Sequence, residues 1–224
     1  ISFTLGHGKT LGIIGGTGSG KSTLIGLIPR FYDVHEGCVK VDGCDVRQYP
    51  LETLRRKIGL VPQKALLFKG TIRENLLWGD EGATDDAIYD ALKAAQAQEV
   101  VDGKPEGLDY EVETGGRNFS GGQRQRLTIA RALVRKPEVL ILDDSASALD
   151  FATDAALRHA LRELPWKPAV VIISQRTASI RFADEILVLD DGKLAGRGTH
   201  EELLQTCDVY REIYESQFKK EDAR

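Results

Sequence analysis

The chain has 224 residues, 30 of them basic and 34 acidic, for a net charge of −4. Apolar residues make up 42% and charged residues 29%, which excludes a disordered chain, a collagen, a disulfide scaffold and a coiled coil. The charge balance gives no basic footprint for nucleic acid, and no apolar run approaches the ~20 residues that cross a bilayer. Glycine is abundant at 23 residues, methionine is absent and residue 1 is Ile, so the chain reads as a piece excised from a longer polypeptide. Cys38, Cys44 and Cys207 form no CxxC pair and read as reduced thiols.

In chain order, residues 2–5 and 11–14 read as short strands around the Gly6–Gly8 turn. Lys21 to Arg30 reads as a helix stopped near Pro29. Val39 to Val41 is a short strand before an Asp42-Gly43 turn, and Ile58 to Val61 is another. Thr84 to Val101 has helical spacing, with Ile88, Leu92 and Ala95 on one face. A second amphipathic helix runs from Gln123 to Arg135, ended by Pro137. Then come an apolar strand (Val139 to Leu142), a helix (Ala152 to Leu164) and a buried-type strand (Ala169 to Ser174). Ile186 to Leu189 and Leu194-Ala195 flank an Asp-Gly hairpin turn. Glu201 to Phe218 reads as one last helix with Leu203, Tyr210, Ile213 and Tyr214 inward. Strands alternating with helices predict an α/β fold with a parallel sheet.

Gly15-Gly16-Thr17-Gly18-Ser19-Gly20-Lys21-Ser22 fits GxxxxGK[ST], the phosphate loop, and Thr23 continues into the helix. It follows an apolar strand and opens a helix, as the motif requires. Glycines turn backbone N–H groups inward around phosphate oxygens, and the helix start adds roughly half a positive charge. Lys21 would reach the terminal phosphates of a nucleotide, and the Ser22 hydroxyl would hold Mg²⁺. Val139-Leu140-Ile141-Leu142-Asp143 is an apolar strand ending in an acid, which suits a Mg²⁺ partner at the sheet's carboxyl edge. Together these predict a P-loop NTPase core that binds ATP with Mg²⁺.

Phe119-Ser120-Gly121-Gly122-Gln123 precedes a helix shortly before Asp143. Here the chain resembles the nucleotide-binding domain of ATP-binding-cassette (ABC) transporters, whose signature is LSGGQ, with Phe119 for Leu a mild departure. The resemblance runs nearly end to end. It implies a parallel-sheet core over about 1–70 and 138–224, an antiparallel β-subdomain and an inserted helical subdomain over about 71–137. It makes Gln63 the Q-loop glutamine, touching Mg²⁺ and facing the membrane domain, and Ser147-Ala148-Leu149-Asp150 the D-loop. Thr71-Ile72-Arg73-Glu74-Asn75 resembles exporters whose membrane and ATPase domains share one polypeptide, with the adenine-stacking aromatic falling before Ile1. In the family two such domains pack head to tail. Ser120, Gly121, Gly122 and Gln123 would then bind the nucleotide held by the partner's phosphate loop.

Two positions depart from the family pattern. Asp144 stands where a Glu polarises the attacking water, and Gln175 stands where a switch His stabilises charge on the γ-phosphate. Asp is one methylene shorter, and a misplacement of ~1 Å can cost about 10²-fold. An amide offers only a neutral hydrogen bond. Both departures fall on the phosphate-loop side, while the signature is intact. The resemblance therefore implies the weaker half of a heterodimeric exporter at the cytoplasmic face of a membrane. Its partners would be a second, non-identical nucleotide-binding domain and a transmembrane domain, with no nucleic acid. Thr114-Gly115-Gly116-Arg117, where fused exporters often carry Gly-Glu-Arg-Gly, is a milder departure. A nucleotide-dependent clamp without turnover, and a soluble cassette ATPase, are the other readings.

Overall fold

The computed structural model describes residues 1–145 and 147–221. Its strands are β1 (Thr10–Gly15), β2 (Lys40–Val41), β3 (Cys44–Asp45), β4 (Ile58–Val61), β5 (Gly70–Thr71), β6 (Glu111–Val112), β7 (Val139–Asp143), β8 (Ala169–Ile173), β9 (Glu185–Asp190) and β10 (Lys193–Gly198). The helices are α1 (Lys21–Gly26), α2 (Leu51–Arg56), α3 (Ile72–Leu77), α4 (Asp85–Ala94), α5 (Gln98–Asp102), α6 (Gly121–Leu133), α7 (Phe151–Arg162), α8 (Thr177–Ile180), α9 (His200–Thr206) and α10 (Asp208–Glu221). None of the described helices is long and apolar enough to cross a membrane.

The main sheet has six strands in the order β10-β9-β1-β8-β7-β4. All pairs are parallel except β9 with β10. Strand pleating sends alternate side chains to opposite faces. Leu11, Ile13, Ile141, Val171, Ile173, Leu187 and Leu189 go to one face, where Ile25, Val46 and Leu54 meet them. Leu140, Leu142, Val170, Ile172, Ile186 and Val188 go to the other, under Leu127, Leu157, Ile180 and Leu203. Both faces are covered, which is why β7, β8 and β9 read as unbroken apolar runs. Each buried Leu or Ile contributes roughly 1.5–3 kcal/mol.

Several expectations are corrected. Residues 2–5 form no strand. Phe3 and Leu5 pack instead against the cluster of Leu11 and Ile13, and Arg197 Nη1 donates to the Ser2 carbonyl at 3.3 Å. The first helix ends at Gly26 and continues to Arg30 as turns, before Pro29 can remove a donor from the ladder. The predicted 84–101 helix divides into α4 and α5. Gln96 takes φ 55°, and the Ala97 and Gln96 amides donate back to the Leu92 and Lys93 carbonyls at 2.8 and 3.1 Å, a C-terminal cap formed without glycine. The last helix divides at Cys207, whose extended backbone drops a buried thiol against β10. Helices α2, α3 and α8 are too short for periodicity to reveal. The two Asp-Gly turns form as expected, with positive φ at Asp42, Gly43, Asp191 and Gly192.

Candidate functional site

Because β1, β4, β7 and β8 run parallel, their carboxyl ends open on one edge of the sheet. This edge is where open α/β sheets bind ligands. It gathers the phosphate loop after β1, Gln63 after β4, Asp143 and Asp144 at the end of β7, and Gln175 after β8.

Gly15 admits no side chain, since a Cβ there would lie 2.1 Å from the Leu189 carbonyl oxygen and 2.6 Å from Ser19 Oγ. Gly20 caps α1 at φ 91°, a left-handed conformation that costs glycine nothing. With no side-chain acceptor at that cap, the first amides of α1 are free to meet an anion. Lys21 is buried at 8% exposure, and its ammonium donates to Gly15 O (2.8 Å), Gly16 O (2.6 Å) and Ser19 Oγ (3.1 Å). Burial pushes its pKa down, and the facing charges of Asp143 and Asp144 push it back up. Thr17, Gly18 and Thr23 complete the turn and the first helical residues.

Ser22 Oγ donates to Asp143 Oδ2 at 3.4 Å, bringing the two expected Mg²⁺ partners together. Burial raises the Asp143 pKa; the Ser22 hydrogen bond and Lys21 pull it down, and Asp144 adds to the rise. Asp144 takes φ 46°, and its amide donates to Ile173 O at 2.8 Å, carrying the β7–β8 pairing one residue past the strand. Gln63 Nε2 donates to Asp144 Oδ2 at 3.2 Å. Gln175 is exposed, with its loop tied to β1 by the Ser174 amide donating to Ile13 O at 3.1 Å.

A divalent cation fits this set. Asp143, Ser22 and Gln63 supply hard oxygens, and no cluster of three or more His, Cys, Asp or Glu exists among the described residues to make a full protein cage. Mg²⁺ suits such a site, because it keeps waters and takes further ligands from phosphates.

Ser120–Gln123 lies apart, with no hydrogen bond to the phosphate loop. Ser120 caps α6 reciprocally. Its Oγ accepts from the Gln123 amide (3.2 Å), and Gln123 Oε1 accepts from the Ser120 amide (2.9 Å). A Cβ on Gly122 would sit 3.2 Å from the Ala148 carbonyl oxygen, so the helix start rests against the segment following β7. Gln217 on α10, whose side chain reaches the Gln175 loop from 42 positions away, belongs to no motif.

The fold and this edge define a P-loop nucleotide-binding domain. A family model described as ABC transporter matches residues 1–147, and the chain belongs to that family. It is 49% identical over 221 residues, 99% of its length, to an uncharacterized ABC transporter ATP-binding protein, YfiB, of Bacillus subtilis strain 168. It is 43% identical over 221 residues to the ATP-dependent lipid A-core flippase of Haemophilus ducreyi strain 35000HP. A bacterial Atm1-family ABC exporter with ATP bound superposes with a TM-score of 0.91 over 97% of the chain at 37% identity. The chain spans 38% of the length of each of these three proteins.

Proposed function

We propose that the chain is the ATP-binding motor domain of an ABC exporter, with a weakened hydrolytic site of its own and an intact signature that serves a partner. The observation that carries this reading is the separation just described. The phosphate loop, Gln63, Asp143, Asp144 and Gln175 converge on one sheet edge, while Ser120–Gln123 makes no hydrogen bond to the phosphate loop and, with Ser120 capping the Gln123 amide, leaves the Gly121 and Gly122 amides to meet an anion.

In this reading the backbone amides of 15–22 and Lys21 hold the ATP phosphates, and Ser22, Asp143 and Gln63 hold Mg²⁺, which neutralises phosphate charge. Asp144 is the carboxylate that would accept a proton from water. It is one methylene short of Glu and is already engaged by Gln63. Gln175 offers the γ-phosphate a neutral donor. The partner is a second, non-identical nucleotide-binding domain carrying Glu and His; ATP at both interfaces closes the pair, hydrolysis at the strong site reopens it, and the weak site stays occupied. The core covers about 1–70 and 138–224, and the helical subdomain about 71–137.

A transmembrane domain of the same polypeptide would place the chain at the cytoplasmic membrane face. Two features support such docking. Exposed Phe68 and Trp78 stack at 4.6 Å beside a groove of about 340 Å³ that Phe31 and Arg131 also line. Arg131 Nη1 is buried there without a hydrogen-bond partner, and burial lowers its pKa. The similarity to a flippase and an exporter fits the same reading.

Equilibrium binding and steady-state turnover of the full-length protein, purified without its partner, test it when measured together. Micromolar-range Mg-ATP binding with turnover near background is expected. Turnover of the order of 10 s⁻¹, an ordinary enzyme rate, would remove the weak-site reading, and absence of binding would remove the whole.

A further inference from the structure

The loop bearing Gln175 is held from behind by one side chain of the last helix. Gln217 Nε2 donates to the Gln175 carbonyl at 2.7 Å. Gln217 Oε1 accepts from both the Thr177 amide and the Thr177 hydroxyl, each at 2.9 Å. One amide group thus satisfies three groups on the turn between β8 and α8. Thr177 is 2% exposed, so its donors have little water to fall back on. The other anchors belong to the loop or to β1: Arg176 N donates to Ser174 Oγ (2.9 Å), and Ser174 N donates to Ile13 O. Gln217 is therefore a link by which α10 reaches the nucleotide edge.

We infer that Gln217 is a positioning residue for Gln175, so that the seating of the C-terminal helix sets how well the loop meets the terminal phosphate of ATP. This rests on the reading that Gln175 faces the γ-phosphate. A long side chain ending in an amide suits this position. The Gln175 carbonyl needs a donor, the two Thr177 groups need an acceptor, and Gln carries both at one end. A carboxylate would keep the Thr177 arm and turn an acceptor against the Gln175 carbonyl. Displacement of α10 would free the loop without touching the phosphate loop itself.

Two variants of the full-length protein test this, with ATP and ADP affinities and amide exchange at 175–177 as readouts. Gln217→Leu removes all three hydrogen bonds, and should speed exchange of the Thr177 amide and weaken Mg-ATP binding roughly three- to tenfold, about one hydrogen bond's worth from Gln175 to the terminal phosphate, with Mg-ADP binding unchanged. Gln217→Glu should leave the Thr177 amide protected yet lose the same ATP preference. Unchanged exchange in Gln217→Leu overturns the clamp. Equal loss of ATP and ADP binding, or no loss, overturns the positioning role, provided Gln175→Ala weakens ATP alone. If Gln175→Ala alters neither affinity, the failure lies in the γ-phosphate reading of Gln175, and the positioning role falls with it.

Discussion

Gln63 Nε2 and Asp144 Oδ2 lie 3.2 Å apart, joining the end of β4 to the end of β7 across 81 residues. The bond engages one oxygen of the carboxylate that, in the proposed function, would accept a proton from water. A Glu at this position would carry its carboxylate about an ångström further. Asp144→Glu combined with Gln175→His is expected to raise ATP turnover by about 10²-fold, because geometry and proton affinity are restored together. Steady-state phosphate release by the double variant and each single variant checks this. A double variant no faster than the parent would show that other lesions limit the site.

Asp143 sets function against stability. Burial raises its folded pKa above the unfolded value, so its ionised form destabilises the fold. That penalty is absent below the ordinary Asp pKa of about 4 and develops as pH rises through the folded value. Asp143→Asn keeps an acceptor for Ser22 without the charge. Thermal melts should show a higher Tm than the parent at pH 7 and no gain below pH ~4. Mg²⁺-dependent ATP binding should fall in the same variant.

Neighbouring glycines should respond unequally. A methyl on Gly15 collides with the Leu189 carbonyl, whereas one on Gly16 meets nothing within 4 Å. Overpacking of this kind costs about 3 kcal/mol, or roughly 6–12 °C in Tm for a domain this size. Gly15→Ala should show that loss by calorimetry, with Gly16→Ala within a degree or two of the parent.

Ser120 should separate two roles. Ser120→Ala removes the side-chain acceptor that starts α6, worth about 1 kcal/mol, and lowers Tm by roughly 2–4 °C. Ser120→Arg should cripple hydrolysis at the partner's site while leaving ATP affinity at this chain's phosphate loop intact. Photolabelling with an ATP analogue reads the two sites separately. Loss of labelling at Lys21's own loop would overturn the head-to-tail arrangement.

Much of this site was legible because its motifs are local. The phosphate loop, the Asp143 strand and the Ser120 cap each lie within about eight residues, and each carries its own strand or helix context. Helix breaks were less legible. Gln96 takes a left-handed backbone where glycine is the usual marker, and Cys207 is extended because its thiol packs on β10, a tertiary cause. Residues 2–5 have strand composition but no ladder partner, and composition alone does not reveal that. Gln63–Asp144 and Gln217–Gln175 are pairings between distant segments, which no window of sequence contains.

The register of β1 has a consequence for how the molecule is made. Thr10 pairs with Val170 and Leu11 with Glu185, so the strand that launches the phosphate loop has both its neighbours near the far end of the chain. During synthesis β1 leaves the ribosome about 160 residues ahead of its partners and waits, unpaired, until β8 and β9 have followed. Contacts of such sequence separation form slowly, because the loop entropy comes before the reward. A strand made so long before both its neighbours is thus one whose ladder closes late, and nucleotide binding becomes a report that β8 and β9 have been threaded beside it.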